Sequence, residues 1–246
     1  GGTHIRARYY LPTTAVEFGR INGNGLILVD RDRRELMREV LLDFSGRGAA
    51  NPWAVTWTPD GKTIVVTHAG THDVSLVDAP VLPQRSVGVR QRLALPGNGP
   101  RAVAVAGSRI YTANYFSDNL SVIDLAAPHP AAESIDLAPP REPCLVRKGE
   151  MLFNDATLCR QGWQSCASCH DADGRMDGVN WDLLNDGQGN PKNARSLVWA
   201  HRTPPAMSLG VRATAEMAVR AGLRHIPFTE QPEGGPAAMD AYLQSL

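Results

Sequence analysis

The feature that most constrains this chain is an internal repeat. Residues 51–79, NPWAVTWTPDGKTIVVTHAGTHDVSLVDA, line up with residues 99–126, GPRAVAVAGSRIYTANYFSDNLSVIDLA. Val55 matches Val103 at a spacing of 48 residues, and Asp78 matches Asp124 at a spacing of 46. The register contracts because the turn TPDGK is longer than the turn AGS. Each copy reads as an alternating strand, a glycine-containing turn, a second strand, a polar turn and a third strand ending in aspartate. The preceding LILVDRDRRELMREVLLDFS (26–45) reads as the end of one unit and the first strand of the next. A period of about 40–50 residues with three or four strands per unit is the signature of propeller blades.

Propellers close with about four to eight blades, because an open array leaves strand edges and blade faces uncovered. Residues 1–140 hold two recognisable blades and pieces of another, so this part is expected to be an incomplete β-propeller, and the chain a piece of a longer one. The N-terminal GGTHIRARYY has no initiator methionine and no signal-peptide core, which points to processing or excision. The strands TIVVTHAGTHDVSLVD and IYTANYFSDNLSVIDL resemble those of the YVTN-type seven-bladed propeller family. A protein or ligand bound on the propeller face is the partner such a part would offer. His68 and His72, four apart in THAGTHD, read as turn residues, with metal binding as the alternative.

Past the proline-rich DLAPPREPCLVRKG (136–149) the strand alternation stops. RKGEMLFND (147–155), TAEMAVRAGLRHI (214–226) and AAMDAYLQSL (237–246) have helical spacing, the last with Met239, Tyr242, Leu243 and Leu246 on one face. A mainly α domain is therefore expected over 141–246. Lys and Arg together number 25, as do Asp and Glu, and no long basic run offers a surface for phosphates, so nucleic acid is dropped as a partner. No apolar run approaches 18 residues, so no membrane span is expected.

The chemistry of this second domain lies in GWQSCASCHDADGR (162–175). Structural zinc needs four ligands, and Cys144 and Cys159 supply no second C-x-x-C or H-x-x-x-H pair. A thioredoxin-like dithiol belongs in a strand–helix–strand unit, and the flanks RQGWQS and DADGRMDG show none. C-x-x-C-H as a c-type haem attachment remains. Cys166 and Cys169, about one helical turn apart, reach the two vinyl groups of one porphyrin as thioethers, and His170 becomes the proximal iron ligand. One covalent haem c is therefore expected. Haem c is assembled outside the bacterial cytoplasm, so a periplasmic or cell-surface location follows. Disulfides persist there, which leaves open both a Cys144–Cys159 bridge and two buried free thiols. Asp171, Asp173 and Asp177 have EF-hand-like spacing, but no Glu stands at the twelfth position, so a solvated turn is preferred to bound calcium. Trp163, Trp181 and Trp199 read as packing residues first and an electron route second.

The stretch KGEMLFNDATLCRQGWQSCASCHDADGRMDG resembles the haem-binding segment of the bacterial di-haem cytochrome c peroxidase and MauG-like family. NPKNARSLVWAHRTPPAMSLGVRATAEMAV (190–219) resembles that family's later segment, so the resemblance covers 147–246. Two departures stand out. Ser208-Leu209-Gly210 occupies the turn where the family carries His-Asp-Gly, and the chain has one C-x-x-C-H where the family uses two haems. The resemblance implies a cytochrome c-like domain that exchanges single electrons with a redox partner protein. Two alternatives are a peroxidase or MauG-like oxidase whose second haem lies outside this chain, and a propeller-based binding module with a structural or sensory haem. For the sixth iron ligand the sequence offers Met207, behind a Pro-Pro turn, and His225, near where the family places a distal ligand of its second haem. His201 and Met176 are further candidates.

Overall fold

The computed structural model describes residues 2–5, 22–79, 88–139, 141–176, 179–181 and 192–246. Contacts divide the chain into two compact units, whose main parts are Asn24–Pro140 and Arg141–Leu246.

Three antiparallel sheets build the first unit. The first holds β1 (Gly2–Ile5), β2 (Asn22–Asp30) and β3 (Glu35–Leu41), in that order. The second is the meander β4 (Pro52–Trp57), β5 (Thr63–His68), β6 (Asp73–Asp78) and β7 (Val89–Ala94). The third repeats it with β8 (Pro100–Ala106), β9 (Arg109–Asn114), β10 (Asn119–Asp124) and β11 (Ala132–Asp136). The second and third sheets are propeller-type blades, each of four strands. Residues 26–45 lie with the first sheet alone, rather than ending one unit and opening the next, because β2 pairs with β3 along their length. The first strand of the following blade is β4.

Hydrophobic alternation sets the stacking of the sheets. All six residues of β5, TIVVTH, are buried, as expected of a strand covered on both faces. Ile64, Val66 and Val77 pack with Leu26, Val40 and Leu42 of the first sheet's segment. Val65, Val74 and Leu76 point the other way, onto Ile110 and Ile123 of the third sheet. In the longer turn, the Asp60 carboxylate accepts from the Thr58 hydroxyl at 2.6 Å and the Lys62 amide at 3.0 Å, while Gly61 takes φ +68°. The shorter turn needs only Gly107 at φ +61°, which accounts for the two residues by which the repeat contracts.

A buried polar brace recurs at equivalent positions of the two blades. His68 Nε2 is bonded to Ser75 Oγ at 2.8 Å, and Asn114, 46 residues on, donates to Ser121 Oγ at 2.7 Å. His68 is thus a fully buried strand residue, not a turn residue, and burial lowers its pKa well below the ordinary histidine value. His72 does lie in a turn, where Nδ1 accepts from the Gly99 amide at 3.1 Å. The brace also ties the third strand to the fourth. Arg92 donates to Asp73 at 2.6 Å in one blade, and Asn119 donates to Ser134 at 2.8 Å in the other. Register confirms the equivalence, since Ser75 pairs with Arg92 and Ser121 with Ser134.

In the second unit, the described residues form α1 (Leu145–Asn154), α2 (Ala215–His225), α3 (Gly234–Gln244) and a short hairpin of β12 (Val179–Trp181) and β13 (Lys192–Ala194). Thr214 caps α2, its hydroxyl accepting from the Met217 amide. α3 starts at Gly234, three residues before the expected 237, because Pro236 sits in the first turn, where a missing N–H costs no hydrogen bond. α1 crosses α3 closely. A Cβ at Gly149 would stand 1.9 Å from the Ala238 carbonyl oxygen. Beside the crossing, Phe153 and Tyr242 meet at a ring separation of 5.4 Å, with Leu243 in the same cluster.

These contacts give two stability tests. Arg92→Met takes the closer of two guanidinium partners from the buried Asp73 carboxylate, leaving Arg47 at 3.3 Å, and should cost about 1.5–3 kcal/mol in chemical denaturation, whereas Ser134→Ala in the neutral brace should cost about 1 kcal/mol. Gly149→Ala gains helix propensity of about 1 kcal/mol. It should nonetheless lower the melting temperature, and a rise would show that α1 and α3 do not cross so closely.

Candidate functional site

The sequence CASCH is built onto this helix crossing. Cys166–Ser168 form a single 3-10 turn, with the Cys169 and His170 amides both donating to the Cys166 carbonyl, at 3.2 and 3.0 Å. The turn is locked at its start, where the Ser165 amide donates to the Ser168 hydroxyl at 2.9 Å. Cysteines three apart on such a turn share one side of it. Cys166 and Ala167 pack onto the Phe153–Tyr242–Leu243 cluster, so the attachment segment is seated on α1 and α3. No disulfide joins Cys144, which is exposed, to Cys159, which is buried, so the Cys144–Cys159 bridge is not formed in this structure.

The turn beyond the motif is held just as firmly. Ala172 and Asp173 take left-handed conformations and Gly174 a φ of +89°. Left-handed backbone costs about 1–2 kcal/mol at a residue with a Cβ, so something must impose it. Tyr242 donates its hydroxyl to the Asp173 carbonyl at 2.9 Å, and the Leu197 amide donates to the Gly174 carbonyl at 2.7 Å. A Cβ on Gly174 would press on Leu246 at 3.1 Å.

These ties bring the segment after β13 against His170. Its Nδ1 donates to the Arg195 carbonyl oxygen at 2.8 Å. A carbonyl can only accept, so Nδ1 carries the proton and Nε2 keeps its lone pair. No hydrogen bond engages that Nε2 among the described residues. Burial pulls the His170 pKa below the usual value, with the Arg195 carbonyl acting in the opposite direction, so the ring is neutral at pH 7. Burial pushes the Cys166 thiol up to about 12, and the nearby Cys169 and Cys159 add to this. A buried thiol, a second cysteine three residues on and a neutral imidazole with a free Nε2 are the donor set a c-type haem requires.

The distal candidates stand apart from one another in character. Met207 is 44% exposed at the start of a 3-10 turn, in a loop closed by bridging of Ala206 with Arg212. His225 is exposed in the last turn of α2. Met176 is exposed. His201 is already engaged, since Nε2, the nitrogen histidines commonly offer a metal, donates to Asp240 Oδ1 at 3.1 Å. Asp171 spends a carboxylate oxygen on the Ala172 amide at 2.7 Å, Asp177 lies outside the described residues, and no cluster of metal-binding side chains occurs among those described. Trp163 is buried and donates to Gln161, Trp199 is exposed, and the side chain of Trp181 lies outside the described residues. Among the described residues no helix is long and apolar enough to cross a membrane. The Arg195 carbonyl escaped the sequence reading because a backbone atom carries no residue signature.

Residues 144–244 match the family model described as di-haem cytochrome c peroxidase. Hydrazine synthase subunit gamma of Kuenenia stuttgartiensis is 44% identical over 61 residues, which is 25% of this chain and 17% of that protein. Hydrazine synthase subunit beta of the same organism is 26% identical over 144 residues, 50% of this chain and 37% of that protein. The chain thus spans well under half the length of these two curated relatives. Among solved structures, Kuenenia stuttgartiensis hydrazine synthase aligns with TM-score 0.42 at 22% identity, over 48% of this chain and 40% of that one. A Pseudomonas aeruginosa periplasmic gluconolactonase aligns with TM-score 0.39 at 17% identity, over 50% and 38%. Blades, attachment motif and family match together make this chain a set of propeller-type repeats joined to a haem c domain that resembles the di-haem cytochrome c peroxidase and MauG-like family.

Proposed function

We propose that the chain works outside the bacterial cytoplasm as a one-electron carrier, through a single haem held by Cys166 and Cys169 with His170 on the iron. The observation that carries this reading is the 2.8 Å bond from His170 Nδ1 to the Arg195 carbonyl. It fixes the tautomer that leaves Nε2 for iron and raises the basicity of the ligand. When bound, haem c supplies a reversible one-electron couple whose potential follows its axial ligands and surroundings. The chain's own residues set those surroundings. Met207 is the sixth ligand in this reading, and a thioether raises the potential and closes the iron. Peroxide cleavage needs an open position with a proton-handling group beside it, and Met207 is followed by Ser208 and Leu209, neither of which can serve as acid or base at neutral pH. That both curated relatives are named as subunits supports a partner chain that gives or takes the electron.

Attachment is tested by intact mass. Purified after export with the maturation machinery, the protein should exceed its chain mass by one haem that acid–organic extraction leaves in place. Cys166→Ala or Cys169→Ala should weaken that retention. A colourless protein from the same preparation rules the reading out.

Ligation is tested by ligand-field spectra. The unmutated protein should be six-coordinate and low-spin, with negligible peroxide turnover. Met207→Ala should open the iron to external ligands, and His225→Ala should leave it closed. The reverse pattern would give the iron to His225. Enzyme-like peroxide turnover by the unmutated protein would favour the peroxidase reading instead.

A further inference from the structure

Sheet-to-sheet packing in the first unit follows one pattern, and the third sheet carries that pattern without a neighbour to complete it among the described residues. Val65, Val74 and Leu76 of the second sheet are buried because Ile110 and Ile123 of the third sheet cover them. Leu93, paired directly with Val74, packs in the same cluster. The residues 46 places further on are Tyr111, Leu120 and Val122, and Leu120 pairs directly with Ile135. The third sheet thus repeats the apolar face that receives the next sheet. There, however, Tyr111, Leu120 and Val122 are only half-buried and Ile135 is exposed. A contiguous apolar face left open on a folded unit marks an interaction surface.

The first sheet supplies the matching half. Its Leu26 and Val40 pack toward the second sheet, and strand alternation sends Ile27, Val29 and Leu41 to the opposite face, where all three are exposed. Leu36 joins them, since it pairs directly with Val29. This is the side a sheet turns toward the one before it. In the second sheet that side, with Ile64, Val66 and Val77, is buried against the first.

We infer that two copies of this chain associate head to tail, the face of Tyr111, Leu120, Val122 and Ile135 on one copy receiving the face of Ile27, Val29, Leu36 and Leu41 on the other. The new contact continues the packing already made twice within each copy. Pairing like with like would cover one of the two faces and leave the other bare, whereas head-to-tail pairing covers both in each copy. Two copies of three sheets give a ring of six, within the about four to eight with which propellers close. The contact does not involve the haem, so it stands or falls apart from the electron-carrier reading.

Sedimentation velocity of the exported holoprotein over a concentration series tests this. The unmutated chain should pass from monomer to dimer and no further. Leu120→Lys combined with Ile135→Glu puts opposite charges directly across a strand pair, which spares the fold while charging one face. Ile27→Lys brings a positive charge opposite Glu39 and charges the other face. Each variant alone should dimerise at least about 10-fold more weakly, because docking would bury its new charge. Mixing the two variants should recover association, through the one contact in which both faces are unaltered. Should the charged pair fail to fold, Leu120→Thr takes its place and should weaken the dimer by a smaller factor. An unmutated chain that stays monomeric throughout overturns the inference and leaves both faces to blades of another chain. A dimer indifferent to Ile27→Lys overturns it in favour of like-with-like pairing, and growth beyond the dimer overturns the closed ring.

Discussion

The second unit depends on one close approach, the crossing of α1 and α3 at Gly149. With a carbonyl oxygen only 1.9 Å from where a Cβ would sit, glycine is what lets the two helices meet there. From that contact the rest is built outwards. The crossing seats Phe153 against Tyr242, and the Tyr242 hydroxyl reaches the Asp173 carbonyl and pins the turn beyond the cysteine motif. That turn receives the Leu197 amide, which carries the Arg195 carbonyl to His170. A helix–helix packing constraint is thereby converted into the orientation of one imidazole.

Local patterns were legible in the sequence, and long-range partners were not. The blades could be recognised because each strand and turn is specified by residues within a few positions, as with Asp60 and Gly61 in the longer turn. Cys166, Cys169 and His170 are legible for the same reason, since they fall within five consecutive positions of one turn. Errors arose where tertiary context decided. His68 has the composition of a polar strand end but is buried because the sheets cover both faces of β5 and Ser75 takes its Nε2. Residues 26–45 contain two strands of one sheet, and nothing in their alternation tells a hairpin from a blade boundary. Gly234 and Gly235 look like a turn, yet Pro236 starts a helix there as readily as it would end one. His201 was weighed as an iron ligand because its partner, Asp240, lies 39 residues away.

Charge is distributed differently in the two units. In the blades, charge is buried where it is matched, as with Arg92 and Asp73. In the haem domain the matched set Arg220, Asp240 and Glu233 lies between α2 and α3, and His201 is joined to it at one end. A fixed dipole of this kind holds the Trp199–Arg202 turn to the helices through polar contacts. Its position therefore follows the same α3 that supports the cysteines.

The recurring brace of the blades has an evolutionary consequence. At matching sites one blade uses His68, Ser75, Asp73 and Arg92, while the other uses Asn114, Ser121, Asn119 and Ser134. Both sets tie the third strand to its neighbours, one with charge and one without. Intermediates between them tie less well, because an arginine facing an asparagine, or an aspartate left with only the more exposed Arg47, has lost its closest counter-charge. Duplicated blades can therefore drift freely at their rims while their brace residues exchange only as a group, and each blade's lineage should be readable from which of the two sets it carries.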